Sequence, residues 1–174
     1  INQELFTQMV DLYMEKGFNF FDTSYAYHDG TSETAIRKAL VERYPRESFE
    51  ICDKMPTWLL TNEKDNDKFV NEMLERLGIT YFDVFLVHNI NTPWLKNAIN
   101  ANTFEYVKKM KEDGIARKIG FSFHEKADLL KEFLEEYGDM FDVVLLELNY
   151  LDWEDSSIEA HKCYDLCVEY GLDV

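Results

Sequence analysis

The sequence predicts an α/β fold of the (β/α)8 TIM-barrel type, present as a partial barrel of about five βα units. Three observations carry this reading. Short apolar runs alternate with amphipathic segments at a step of roughly 25 to 35 residues, the pattern of a parallel sheet with right-handed crossovers. The runs are apolar on both faces, as strands of a covered sheet are. Four of them end on, or lead into, residues that can move protons, and in a parallel barrel the strand C-termini share the rim where active sites form. An open doubly wound sheet is the competing architecture, but no G-x-G-x-x-G turn follows any strand.

Each element follows from local pattern. Residues 3–16 read as a helix with Leu5, Phe6, Met9, Val10 and Tyr13 on one face, stopped by Gly17. Residues 18–22 read as a strand. Ser32 and Glu33 open a helix to about Arg43, with Ile36, Ala39 and Leu40 inward. A strand at 49–54 ends before Pro56. Thr61 or Asn62 caps the next helix, whose Phe69, Val70, Met73, Leu74 and Leu77 keep helical spacing up to Gly78. Strand 82–88 leads through Asn91 and Pro93 to a helix ending at Gly114, with Phe104, Val107 and Met110 buried. Strand 116–122, helix 125–137, strand 142–149 and helix 156–170 complete the pattern, and Leu172-Asp173-Val174 starts a further strand.

A complete barrel of this type takes about 250 residues. The chain has 174. It is therefore expected to be a single partial domain over residues 1–174, truncated at both ends. It has no initiating Met, and no basic stretch followed by an apolar run marks a signal peptide. No run is long enough to cross a bilayer.

Composition narrows the partners. Hydrophobic residues make up 46%, enough for a packed core, and the formal charge of -16 repels phosphate backbones, so nucleic acid is not expected. Three cysteines suit a reducing, cytoplasmic setting of bacterial type. Cys163 and Cys167 share a helix but have no matching Cys/His pair, so they read as buried thiols and no metal is expected.

The strand ends carry the chemistry. Phe18-Asn19-Phe20-Phe21 runs into Asp22, with Tyr27 five residues later. Phe49-Glu50-Ile51-Cys52 leads to Lys54, Val84-Phe85-Leu86-Val87 ends on His88, and Lys118-Ile119-Gly120-Phe121 ends on Ser122. If the strands are neighbours, Asp22, Tyr27, Lys54 and His88 meet in one pocket suited to carbonyl reduction. Tyr27 supplies the proton and Lys54 eases its release. Asp22 holds Lys54, and His88 orients the carbonyl. Singly, each has an ordinary explanation: a surface tyrosine, a solvated strand end, a core histidine. Tyr25 is the more ordinary tyrosine, since it lacks the offset from Asp22. Trp58, after the Lys54 strand, is a candidate wall of the substrate pocket. His28, His124 and His161 read as structural or exposed, the first two near the rim.

Together, Asp22-Thr23-Ser24-Tyr25-Ala26-Tyr27, Lys54 and Leu86-Val87-His88-Asn89 resemble the catalytic motifs of the aldo-keto reductases. Gly17 to Phe21, Gly30-Thr31-Ser32-Glu33, Leu74 to Gly78 before Tyr81-Phe82-Asp83, and Ile119-Gly120-Phe121-Ser122 extend the likeness along the chain. The resemblance implies an NAD(P)H-dependent oxidoreductase for a small carbonyl substrate, with NADP, or alternatively NAD, as cofactor and Asp22, Tyr27, Lys54 and His88 as catalytic residues. It also implies cofactor contacts at Asp22, Ser122 and Asn149, with the phosphate-binding segments after residue 174. Two positions depart from the family pattern: Phe123 stands where Asn often follows the serine, and Leu145 where Gln is common. Phe123, His124 and Asn149 to Trp153 resemble a microbial branch that carries a C-terminal iron–sulfur domain, but no cysteine cluster is present for one. A binding or regulatory protein on the same fold, or an inactive fragment, are the alternatives.

Overall fold

The computed structural model describes residues 1–174. The chain runs α1 (Gln3–Glu15), β1 (Phe20–Asp22), a single irregular turn α2 (Tyr27–Gly30), α3 (Ser32–Ile36), β2 (Glu50–Met55), α4 (Lys64–Leu77), β3 (Phe82–Ile90), α5 (Thr92–Asn100), α6 (Thr103–Glu112), β4 (Ala116–Phe123), α7 (Ala127–Tyr137), β5 (Val143–Leu146) and α8 (Ala160–Glu169). The five strands pair in parallel in chain order and curl into a half-barrel. The terminal segment starts a further parallel pairing, with Asp173 opposite Val143 on the outer side of β5. No helix is long and apolar enough to cross a membrane.

Strand side chains alternate faces, and the register sorts them. Asp22 lies opposite Cys52, Cys52 opposite Val84, Lys54 opposite Leu86, and Leu86 opposite Gly120. The residues between these, among them Ile51, Phe85, Val87, Ile119, Phe121 and Val144, join the main core of 35 buried side chains under the helices. A fully buried side chain of this size contributes roughly 1.5–3 kcal/mol. The other face is concave. Cys52, Val84 and Leu86 cluster there with Val143 and Leu145, and with Phe20 they line an open apolar hollow of about 270 Å³.

Four details depart from the sequence expectation. The helix after Pro93 is broken at Ala101 and Asn102, the latter left-handed at φ 53°. Fully buried Asn66 causes the break: its Nδ2 donates to the Ala101 carbonyl at 2.7 Å, and its Oδ1 accepts from the Thr103 hydroxyl at 2.9 Å. Helix α3 passes into a π-helical turn at Arg37–Val41. The expected strand 142–149 stops at Leu146, and α8 begins only at Ala160. The apolar face of α1 is fully buried only at Val10 and partly at Phe6 and Met14, while Leu5 and Met9 stay exposed, because α1 packs mainly on the π-helical turn at Arg37–Val41 and its remaining face has no neighbour. Cys163 and Cys167 are buried free thiols, pushed up to about 11 and about 12 by burial.

Candidate active site

Parity of the strands builds the site. Phe20 and Asp22, Cys52 and Lys54, and Val84, Leu86 and His88 occupy alternate positions, so the last residue of each set tops the concave face. Tyr27 comes from the loop after β1. The loop is held from below by a Thr23 N–H bond to the Cys52 carbonyl at 2.9 Å, and by the Thr23 hydroxyl, which donates to Ser32 at 2.9 Å. Tyr25 points away: its hydroxyl donates to Glu72 at 2.7 Å, and the Arg76 guanidinium covers its ring. This outward anchor leaves Tyr27 for the rim. The turn that follows is strained, with His28 and Asp29 both left-handed, and such conformations gather at functional sites.

Lys54 is buried at the centre. Its Nζ donates to Asp22 Oδ1 and Oδ2 at 2.7 Å each, to the Thr23 carbonyl at 2.6 Å and to the Tyr27 hydroxyl at 3.3 Å. An ammonium has three protons. Asp22, Thr23 and Tyr27 take one each, the two carboxylate oxygens sharing theirs. Burial opposes the Lys54 charge, but Asp22, Cys52 and Tyr27 together outweigh it and hold the ammonium above its ordinary range.

His88 stands at right angles to Tyr27, ring centres 6.0 Å apart, and edge-on to Trp58 at 5.2 Å. Thr57 donates to its carbonyl at 2.6 Å, and its Nδ1 lies 3.1 Å from the Ser24 hydroxyl. Burial, then Lys54 and His124, lower its pKa to about 3, so the ring is neutral across the physiological range. Trp94 extends the Trp58 wall at 5.4 Å.

Ser122 and Asn149 are placed differently from each other. Ser122 is fully buried at the end of β4, where its oxygen accepts the Asn89 N–H at 2.7 Å. Its own proton has no protein acceptor, and this buried donor suits a carboxamide oxygen. Asn149 is exposed, and its side chain closes its own turn: Oδ1 accepts from the Leu151 and Asp152 amides, and Nδ2 donates to the Asp152 carboxylate. It would have to release that turn to reach a nicotinamide. His28 lies on the strained turn after Tyr27, and His124 faces Glu147 at 3.8 Å.

Sequence reasoning missed Ser24, Thr57 and Trp94. It also missed a carboxyl pair behind the site. Glu33 and Asp53 are both fully buried and within hydrogen-bond reach, with Glu33 Oε1 and Asp53 Oδ2 lacking any other partner. Burial, then the Glu33 charge, push Asp53 well up, and burial raises Glu33 too, so the two carboxyls are placed to share a proton. The signal was present: Asp53 is next to Lys54 and therefore faces the helices, where a carboxylate needs a partner.

A parallel βα half-barrel with an Asp–Lys–Tyr cluster and a neutral histidine on its C-terminal rim defines the class of protein. The Aldo/keto reductase family model matches residues 1–174, and the chain belongs to that family. It is 29% identical, over 91% of its length, to the NADH-specific methylglyoxal reductase of Escherichia coli, of which it covers 51%. The holo form of an aldo-keto reductase from Bacillus halodurans superposes with a TM-score of 0.75 at 23% identity, over 99% of this chain and 55% of that one. An aldo/keto reductase from Klebsiella pneumoniae, solved with NADP and acetate, gives 0.75 at 19% identity, over 98% and 56%. The chain thus spans about half the length of these relatives.

Proposed function

We propose that the protein interconverts an aldehyde or ketone and the corresponding alcohol by NAD(P)H-dependent hydride transfer, with Tyr27 as general acid. The observation that carries this is Lys54: a buried ammonium, locked by Asp22 and Thr23, that offers its remaining proton to the Tyr27 oxygen. An ammonium beside a phenol oxygen stabilises the negative charge that develops there as the proton leaves. When bound, the nicotinamide supplies or accepts the hydride. The Ser122 hydroxyl, on β4, is the group of this chain that fits the carboxamide, while Asp22, at the end of β1, is the second proposed contact.

A carbonyl oxygen between Tyr27 and His88 takes a hydrogen bond from each. As charge develops on that oxygen, the Tyr27 proton moves to it, and the ammonium stabilises the phenolate left behind. Trp58 and Trp94 give the pocket an apolar wall that limits water. NADP is the proposed cofactor, with NAD the alternative; a small carbonyl, such as the substrate class in the name of the Escherichia coli relative, is the proposed substrate. The test is carbonyl-dependent oxidation of NADPH or NADH by the protein and by its Tyr27→Phe variant. Loss of the acid lowers turnover by about 10²–10⁴. A variant with undiminished turnover removes Tyr27 from the role.

A further inference from the structure

Ser24 is fully buried in the loop between Asp22 and Tyr27, and its hydroxyl meets His88 Nδ1 at 3.1 Å across 64 residues of chain. Its carbonyl accepts the Tyr27 N–H at 3.1 Å. One residue therefore touches both the acid's backbone and the histidine's ring. His88 is neutral, so one of its two nitrogens carries a proton and the other a lone pair. Which one decides whether Nε2, which bonds nothing in the protein, donates a hydrogen bond or accepts one.

We infer that Ser24 is a positioning residue that fixes His88 in the tautomer with its proton on Nε2. A hydroxyl can donate to Nδ1 or accept from it. If it accepted, its own proton would need another acceptor, and the structure gives the Ser24 hydroxyl no other partner. A buried donor without an acceptor disfavours that arrangement by roughly tenfold or more in population. If it donates, its proton is satisfied by Nδ1, and the ring proton at Nε2 is left for a partner from outside the protein. The backbone of His88 is fixed independently, since Thr57 bonds its carbonyl and the Asn89 amide bonds Ser122. The ring is thus held at Nδ1 by Ser24 and at the main chain by neighbours on either side. The kinetic consequence rests on the proposed reduction: an Nε2–H donates to a carbonyl oxygen, whereas a bare Nε2 repels it.

Long-range ¹H–¹⁵N NMR of His88 tests the assignment on the unmodified protein. The expected result is an unprotonated Nδ1 and a protonated Nε2; a protonated Nδ1 overturns the inference. In Ser24→Ala the spectrum should move toward a mixture of tautomers, and in Ser24→Thr, which keeps the hydroxyl, it should return. If the carbonyl reaction is present, Ser24→Ala lowers kcat/KM by about tenfold, with unchanged cofactor affinity and recovery in Ser24→Thr. Unchanged kinetics in Ser24→Ala would overturn the positioning role. A protein with no carbonyl activity but with the expected tautomer, lost in Ser24→Ala, sinks the proposed reaction and supports the assignment.

Discussion

Lys54 meets Tyr27 at two places: its ammonium lies 3.3 Å from the phenol oxygen and 4.7 Å from the centre of the ring. The charge is therefore held against the tyrosine at both its oxygen and its face. Lys54→Met should lower turnover by about 10²–10⁴ while leaving cofactor affinity nearly unchanged, because the charge acts on the acid. Steady-state kinetics with a cofactor titration checks the split; equal losses in both would assign Lys54 to cofactor binding.

Asp22→Asn should also slow turnover, and it should cost stability. Breaking a fully buried pair costs about 3–5 kcal/mol. The loss here should be smaller, since the Asp22 side chain is 36% exposed while that of Lys54 is only 1% exposed. Chemical unfolding of the variant measures it. A variant as stable as the parent would mean that Thr23 and Tyr27 suffice to hold the ammonium.

The depressed pKa of His88 sets one acid limb. Unfolded, the ring takes up a proton near its ordinary value; folded, it does so only at about 3. Between about 6.5 and 3 the unfolded state binds more protons, so this group's contribution to stability falls as the pH falls through that window. His88→Gln should flatten the slope of stability against pH there. Parallel slopes for parent and variant would count against a neutral, buried ring.

Asp53 works in the opposite sense. Its folded pKa is raised, so between the ordinary carboxylate value and that raised value the folded state binds more protons, and stability falls as the pH rises. Asp53→Asn keeps an acceptor for the Lys54 amide, now bonded at 2.8 Å, and offers Glu33 a permanent donor. It should stabilise the protein at mildly alkaline pH by about 1 kcal/mol or more. Thermal unfolding at pH 5 and about pH 8.5 provides the comparison, and a variant destabilised at both would show that the pair does not share a proton.

The concave face and the edge of β1 expose apolar surface, with Phe20 at 42% and Phe18 at 57%. Unprotected edges and apolar patches drive association. Residues 1–174 should sediment as oligomers or aggregates and bind nicotinamide dinucleotide weakly. Phe20→Lys, a charge on the edge strand, should shift the distribution toward monomer. A well-behaved monomer of the parent chain with micromolar NADPH affinity would contradict this.

The strand–helix alternation was legible because it rests on local period. Asp22, Lys54 and His88 stood out because each is an ionisable residue at the end of an apolar run, and the structure does bring them together with Tyr27. What stayed hidden depends on partners distant in sequence. The break at Asn102 is made by Asn66, and the seat of His88 by Ser24. Asn149 was read as part of a strand, yet its side-chain oxygen and the backbone N–H donors two and three residues on made a self-closing turn the easier structure.

Alternate facing of the strand residues also governs which sequence changes the chain can survive. Deleting one residue between Ile51 and Lys54 would exchange the two sides of the end of β2: the ammonium would turn into the helix-covered core, and Met55 would rise among the polar groups of the rim. Substitutions there are graded in their effects, but a single-codon insertion or deletion is all-or-none. The strands should therefore be far less tolerant of length variation than the exposed turn at 149–159, where the chain can lengthen without changing which side anything faces.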